Sequence, residues 1–338
     1  MHPAVDGWLV GGVAIVAWLA FTPVTGSQVS LVAPLSAVFV GLGAAHFGAT
    51  YHLAYGLPPE VRRRHRWALV WVPVAITSLL MATVAAYAAG HRSSAVWAVK
   101  WSFILIFTLT GWHYIKQAYG VAMLAARTKG ISLERREAMT LRYAFYPVWA
   151  VTLGRVWISG AQSSYRNVNV TVDFLPAAFG PMLRTLAIAS LVLAGAIMVA
   201  AARRVGSRPP LAMWTPYLAG GLWLMYSPGV IGSSVMLGGL HGLQYLACVH
   251  RTEIEWAREK GETSVAALWL SLIGGAAAGG LLAATWLPSI LDRSISTPAL
   301  PGLAGSLIFI ALNLHHYAMD AAIWRRDGPH LKRIAGAN

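Results

Sequence analysis

Residues 31–66 of the chain read LVAPLSAVFVGLGAAHFGATYHLAYGLPPEVRRRHR. The stretch from 31 to 56 holds no Asp, Glu, Lys or Arg and is long enough to cross roughly 30 Å of hydrocarbon as a helix. Clustered Lys and Arg beside such a stretch mark the cytoplasmic side of a membrane. The sequence therefore predicts a transmembrane helix that ends at a cytoplasmic basic cluster, formed by Arg62, Arg63, Arg64 and Arg66.

This alternation of apolar stretch and basic cluster continues along all 338 residues. Hydrophobic residues make up 57% of the chain and charged residues 11%, and the mean hydropathy is +0.57. Because one core cannot bury so much apolar surface, this composition excludes a water-soluble globule and a disordered chain. We predict an all-α polytopic transmembrane bundle, a single integral-membrane domain over residues 1–338. Its spans, about ten by length, are 8–24, 31–56, 67–89, 95–125, 138–160, 178–202, 211–227, 230–250, 264–290 and 301–324.

The basic residues also predict the orientation of the chain. Each basic cluster follows an even-numbered span, whereas each connection after an odd-numbered span carries one Lys or Arg at most. Because cytoplasmic loops collect Lys and Arg, we predict an outside N-terminus, a cytoplasmic C-terminus and a multi-pass protein of the bacterial inner membrane. The net charge of +14 forms no single patch, so nucleic acid is not an expected partner. The clusters lie at 62–66, 127–136, 203–208, 251–260 and 325–333.

The side chains available to bind a metal are limited. Cys248 is the only cysteine, so an internal disulfide and a thiolate or iron–sulfur site are excluded. A carboxylate-bridged di-iron site in a bundle takes four Glu, yet Asp320 is the only acidic residue inside a predicted span. Any metal centre in this chain must therefore be rich in imidazole.

Histidines lie on four even-numbered spans at a similar depth, about 13 to 24 Å from the cytoplasmic basic clusters. Ionisable side chains at this depth normally face the interior of a bundle, and ligands from separate helices can build a metal or haem site there. The remaining histidines, which are His2, His65, His91, His250 and His330, are expected to be solvated or interfacial. We predict metal ligands at His46, His52, His113, His241, His315 and His316.

Polar residues follow three of these histidines by one helical turn and so share their helix faces. Metal-bound imidazole usually donates its second ring N–H to a carboxylate, a carbonyl or water, so we predict that Asp320 and Gln244 orient the ligands. Lys116 is the third predicted catalytic residue. Its ammonium could hold a substrate carboxylate or phosphate, or reach for the lipid headgroups.

With His46, His52, His113, His241 and the His315-His316 pair, the sequence resembles the integral-membrane His-box oxygenases. These are the fatty acid desaturases, the hydroxylases and the alkane hydroxylases. The resemblance implies two irons held by clustered histidines on the cytoplasmic side of a helical bundle, and a lipid-soluble substrate. Through His46-Phe47-Gly48 and its one-His-per-helix distribution, the sequence is also similar to bacterial carotene dioxygenases, which form retinal at a membrane-embedded four-His iron.

The sequence thus predicts a membrane-embedded non-haem metal oxidoreductase that activates dioxygen on a lipid-like or other hydrophobic substrate. One or two iron ions are expected, with copper or zinc as alternatives because imidazole suits all three metals. No Gly-rich phosphate loop is present, so electrons would come from an external electron-donor protein unless the reaction needs none. The alternatives are a transporter or channel with a His proton or metal relay, a haem-binding membrane electron carrier, and a non-metal transferase that uses one membrane histidine as general base.

Overall fold

The computed structural model is about 85% helical, which confirms the all-α prediction. Two antiparallel two-residue strands, Ser164–Tyr165 and Val168–Asn169, interrupt the helical structure. They lie in the long connection after the predicted fifth span. The structure describes residues 3–21, 29–159, 164–165, 168–226, 233–261, 274, 278–282, 286–295, 302–325 and 328–334.

The helices differ widely in length, and two of them are single π-helical turns that precede an α-helix. Most of the predicted ninth span, 264–290, lies outside the described residues. In chain order, the helices are Pro3–Gly7, Trp8–Gly12 (π), Val13–Phe21, Val29–Tyr55, Pro59–Arg64, Trp67–Trp71 (π), Val72–Ala88, Arg92–Thr128, Arg135–Tyr143, Tyr146–Trp157, Phe179–Arg204, Leu211–Met225, Ser233–Glu259, Leu287–Ile295, Leu303–Ile323 and Pro329–Ile334.

Three helical segments within the described part of the chain are long and apolar enough to cross a membrane: Trp67–Ala88, Arg92–Thr128 and Phe179–Arg204. Between 22% and 33% of the residues in their apolar windows are buried, so most of this apolar surface faces outward. Large side chains such as Met81 and Val192 are more than 60% exposed. Contiguous outward-facing apolar surface of this kind is typical of helices solvated by lipid.

The predicted fifth span, residues 138–160, is divided into two helices. The Arg135–Tyr143 helix has Ala144 as its C-cap, and the Tyr146–Trp157 helix has Pro147 in its first turn. Proline fits a first turn because no helical partner is needed there for its missing N–H. Each of the two helices is shorter than the roughly 20 residues that a straight crossing requires.

The residues group into two compact units. The first contains Met1–Leu42, Thr110–Ala161 and Val172–Ala247. The second contains Gly43–Leu109, Gln162–Thr171 and Cys248–Asn338. The single integral-membrane domain expected from the sequence stays a prediction.

The first unit has a core around Trp223, whose indole is almost fully buried and packs among Ala14, Phe39, Met236 and Leu240. Its Nε1 donates a hydrogen bond of 2.8 Å to the carbonyl of Ala14. Buried Trp normally needs such an acceptor because its N–H has lost water. The contact joins the Val13–Phe21 helix to the Leu211–Met225 helix.

A glycine allows two helices of the same unit to approach closely. A Cβ added at Gly239 would lie 2.6 Å from the Cα of Phe39, inside the van der Waals distance of a backbone atom. Backbone atoms cannot rotate away as a flexible side chain can, so a larger residue here must move a helix. Gly239 lies two residues before His241 and thereby positions the segment that carries this histidine.

In the second unit, an acidic side chain caps the helix that carries His315 and His316. The carboxylate of Asp292 accepts hydrogen bonds from the Gly305 N–H at 3.1 and 3.2 Å. The first N–H groups of a helix have no intrahelical acceptor, and a negative charge is favourable at this end of the helix dipole. Asp292 therefore helps to define where the Leu303–Ile323 helix begins.

Two histidines expected to be solvated or interfacial are instead buried, so that prediction is wrong for His65 and His330, which are 5% and 2% exposed. The Pro329–Ile334 helix places Nε2 of His330 3.3 Å from the carbonyl of Leu53. Burial lowers the pKa of His330 to about 4, although this hydrogen bond opposes the shift.

We expect Gly239→Ala to lower the thermal stability of the detergent-solubilised chain, by roughly 1–3 kcal/mol, because the added methyl overpacks a backbone contact. The matched control is Gly120→Ala, since a Cβ at Gly120 meets no atom within 4 Å. Thermal unfolding followed by tryptophan fluorescence measures both variants. Equal stabilities for Gly239→Ala and the native chain would contradict the close approach.

His330 should make folding sensitive to mild acid. Its folded-state pKa lies near 4 and its ordinary value is 6.5, so between these values the unfolded chain binds a proton that the folded chain does not. Stability is therefore lost as pH falls through this window, by up to about 3 kcal/mol at its lower end. His330→Gln keeps a donor for Leu53 but cannot titrate, and should lose less stability between pH 7 and pH 4.5. The measurement is the free energy of unfolding against pH, and parallel curves would contradict the shift.

Candidate metal-binding site

The first unit brings two predicted ligands together. Nε2 of His113, on the Arg92–Thr128 helix, lies 3.0 Å from Nε2 of His241, on the Ser233–Glu259 helix. Both imidazoles are buried, and their planes cross at 73°. Each ring thus turns the same nitrogen toward the other, in a place from which bulk water is excluded.

Two glutamines hold the helix segment that carries His241. Nε2 of Gln117 donates to the backbone carbonyl of His241 at 3.3 Å and to Oε1 of Gln244 at 2.7 Å. Nε2 of Gln244 in turn donates to the carbonyl of Val10, in the π-helical turn, at 2.6 Å. Gln244 was predicted to orient a ligand ring, but its contacts are with a glutamine and a backbone carbonyl.

The second unit also contains a pair of imidazoles. Nε2 of His46 lies 3.2 Å from Nε2 of His316, and the two rings are 4% and 1% exposed. Nδ1 of His46 donates a 2.7 Å hydrogen bond to the carbonyl of Gly43. A proton on Nδ1 leaves a lone pair on Nε2 of a neutral imidazole, which is the form that binds metals.

Asp320 lies beside this second pair. Its Oδ2 is 3.7 Å from Nε2 of His316, one turn earlier on the same helix, and both side chains are buried. The sequence predicted that Asp320 orients His316, a role that requires contact with Nδ1, the nitrogen facing away from the partner ring. Instead, the carboxylate approaches the Nε2 that faces His46.

The separation within each pair fits neighbouring ligands of one ion. Imidazole nitrogens bind zinc at about 2.0–2.1 Å, so two of them that subtend 90–110° lie about 2.9–3.4 Å apart. The separations of 3.0 and 3.2 Å fall in this range. A neutral imidazole pair joined by a hydrogen bond has the same separation, so the geometry is compatible with both arrangements.

Two other predicted ligands have different contacts. Nε2 of His52 lies 3.5 Å from Oε1 of Glu253, and the His52 side chain is 43% exposed. Nδ1 of His315 lies 2.9 Å from the hydroxyl of Tyr51, because this ring leaves the helix about 100° from that of His316. The structure therefore joins neither residue directly to the His46–His316 pair.

Lys116, Tyr114 and Tyr51 each contact an aromatic or imidazole ring. Nζ of Lys116 lies 4.9 Å from the ring centroid of Trp112. The ring of Tyr114 lies 4.1 Å from that of His241. The sequence did not predict the contacts of Tyr114 and Tyr51. Tyr114 follows His113 and Tyr51 precedes His52, and adjacent residues point to different sides of a helix, so each tyrosine contacts a histidine of another helix instead.

No known protein family, curated protein or solved structure matches this chain. The resemblance to His-box oxygenases thus stays a prediction, as does the expectation that histidines of separate spans share one ion. Buried histidine groups with ligand atoms close enough to hold a metal are present in the described part of the chain.

The two glutamines should contribute to stability as one unit. Gln117→Leu leaves buried polar groups of Gln244 and His241 without a donor, which we expect to cost about 1–3 kcal/mol. Gln244→Leu should cost a similar amount, and the double variant less than the sum of the two. Thermal unfolding of the four proteins measures the coupling. Strict additivity would show that the network is not cooperative.

Proposed function

We propose that this chain is a non-haem metal oxidoreductase embedded in the bacterial inner membrane, acting on a lipid-like or other hydrophobic substrate. The proposal includes a multi-pass topology of about ten spans with an outside N-terminus and a cytoplasmic C-terminus, as the basic clusters favour. The main support for the proposal is that the Nε2 atoms face each other within two buried imidazole pairs, at distances of 3.0 and 3.2 Å.

The second unit supplies the better donor set for iron. His46, His316 and Asp320 together offer two imidazoles and one carboxylate, the combination typical of non-haem Fe(II) oxygenases. Since Oδ2 of Asp320 is near the Nε2 of His316 rather than its Nδ1, we assign Asp320 a ligand role. Iron bound there would supply the activation of dioxygen.

The chain's own residues prepare this donor set. The Gly43 carbonyl keeps the proton of His46 on Nδ1, so Nε2 is available without a tautomer change. Burial of all three side chains excludes water that would compete for a ligand position. A hydrophobic substrate can approach such a buried site from the bilayer, whereas a sugar or nucleotide would first have to lose its hydration.

The first unit offers a second ligand pair, His113 and His241. The ring of Tyr114 lies against that of His241, and the glutamine network holds the His241 backbone. Ligands whose positions are set by surrounding contacts lose little entropy when a metal binds. We propose that this pair also binds metal, so that the chain holds one or two ions in total.

The pair separations favour non-haem metal over a haem held between two histidines. A haem held by two histidines would have to fit between their facing nitrogens. Separations of 3.0 and 3.2 Å are too short for that arrangement and fit ligands at neighbouring positions. The absence of a Soret band in purified protein is the corresponding expectation.

Purified chain should contain one or two iron ions per polypeptide, measured by elemental analysis that also quantifies copper and zinc. His46→Ala, His316→Ala and Asp320→Asn should each lower the metal content, because each removes a donor from the second-unit set. His113→Ala and His241→Ala test the first-unit pair separately. The matched control is His91→Ala, since His91 is exposed and should leave the metal content unchanged.

Two outcomes would contradict the proposal. Native protein purified without stoichiometric iron, copper or zinc, and unable to bind added Fe(II), would exclude a resident metal centre. Equal metal content in His316→Ala and His91→Ala would show that the ion binds elsewhere. Retention of metal by Asp320→Asn alone would limit the ligand set to imidazole and reject only the carboxylate assignment.

A further inference from the structure

Lys116 is an unusual cation for its position. It lies on the Arg92–Thr128 helix, whose apolar window is long enough to cross a membrane, and its side chain is half-buried. In the described part of the chain, no carboxylate lies within ion-pair distance of Lys116 or of Arg142. Four arginines do have such partners: Arg63 with Glu60, Arg204 with Glu137, Arg258 with Glu255 and Arg333 with Glu259.

Arg142 acts as a second cation in the same neighbourhood. It is close enough to Lys116 to repel it electrostatically, and it lies at the end of the Arg135–Tyr143 helix. Two like charges without a carboxylate between them raise the free energy of the folded chain. An anion bound between them would remove this cost, so the two cations together favour a negatively charged ligand.

Aromatic rings form a continuous row between the two cations. Lys116 lies over the ring of Trp112, which contacts Tyr146 at 5.0 Å between centroids. Tyr146 contacts Tyr143 at 5.1 Å, and Cζ of Arg142 lies 5.9 Å from the Tyr143 ring. Cation–aromatic contacts hold the charged groups over an apolar surface. The row therefore presents apolar rings next to positive charge, as an amphiphile requires.

Gly111 allows this row to pack against the helix that carries Lys116. A Cβ at Gly111 would lie 2.6 Å from Oγ1 of Thr152 and 2.9 Å from Cδ1 of Trp149. Trp149 in turn contacts Trp112, at 5.3 Å between ring centroids. The Tyr146–Trp157 helix can thus approach closely enough to place its aromatic side chains beside Trp112.

One of the two cations, Lys116, is also close in sequence to a buried imidazole of the first unit. Lys116 follows His113 by three residues, so the two side chains share a helix face about one turn apart. An anionic head at Lys116 would leave the apolar remainder of the same molecule within reach of the His113–His241 pair. Lys116 would bind the charged head of the molecule, and the His113–His241 pair would ligate metal.

We propose that Lys116 and Arg142 bind the anionic head of a free amphiphile, a carboxylate or phosphate on a long apolar body, with the head over the Trp112–Tyr146–Tyr143 row and the body extending toward the His113–His241 pair. Its identification as the substrate rests on the proposed oxidoreductase function. Binding of the anion itself does not. The ligand class is thus narrower than a hydrophobic molecule in general, because an uncharged chain would leave both cations unpaired.

The test measures equilibrium binding of radiolabelled oleate and of uncharged oleyl alcohol to the full-length chain in detergent, with and without metal. Oleate should bind saturably and the alcohol weakly. Lys116→Gln and Arg142→Gln should each weaken oleate binding about tenfold or more, as expected for loss of a charged hydrogen bond. Lys116→Arg should retain binding. Lys129→Gln is the matched control, since Lys129 is an exposed cation just beyond the same helix.

Three results would overturn the proposal. The first is equal binding of oleate and oleyl alcohol, and the second is unchanged oleate binding in both Gln variants. The third is displacement of oleate by dioleoylphosphatidylglycerol in nanodiscs, because that result would assign the cations to bilayer headgroups. Because Arg142 is exposed, Arg142→Gln remains informative if Lys116→Gln fails to fold. Oleate binding by the metal-free chain separates this inference from the metal. If the native chain neither contains metal nor binds added Fe(II) but still binds oleate, only the oxidoreductase function is contradicted.

Discussion

An imidazole removed from water is stabilised when its ring nitrogens find new partners, and this constraint shapes the two buried histidine pairs. A buried ring that loses its hydrogen bonds costs about 1–3 kcal/mol for each unsatisfied group. Each unit meets the constraint in the same way, by turning two Nε2 atoms toward each other at 3.0 or 3.2 Å. The helices around each pair are arranged accordingly, with Gly239 permitting a close approach and the Gly43 carbonyl selecting a tautomer.

The supporting contacts differ between the two pairs, and so do their expected chemical roles. Around His241, neutral amides form a chain that ends on a carbonyl of a π-helical turn. Beside His316, the neighbouring group is a carboxylate. A neutral network positions a ring without changing its charge, whereas a carboxylate near Nε2 can compensate the charge of a bound cation. The His46–His316–Asp320 set is therefore the stronger candidate for binding a divalent ion.

Other polar groups of the chain have roles that do not involve metal. His315 is hydrogen-bonded to Tyr51, and His52 is paired with Glu253. His330 is buried against a backbone carbonyl at the end of a short terminal helix. Lys116 and Arg142 share an aromatic row rather than a carboxylate. A polar residue that lies close in sequence to a proposed ligand therefore need not share its role, because neighbouring residues on a helix point in different directions.

The sequence alone determined that the chain is helical and apolar, since composition and the length of its apolar stretches require no knowledge of packing. It also predicted interior positions for six histidines, because an ionisable residue deep in an apolar helix has few other places to go. His46, His113, His241, His315 and His316 are buried, whereas the prediction is wrong for His52, which is 43% exposed. Which rings pair could only be decided by tertiary structure, as could the burial of His330 and the division of residues 138–160 into two helices. Pairing depends on helix rotation and separation, and these are set by packing contacts between residues far apart in sequence.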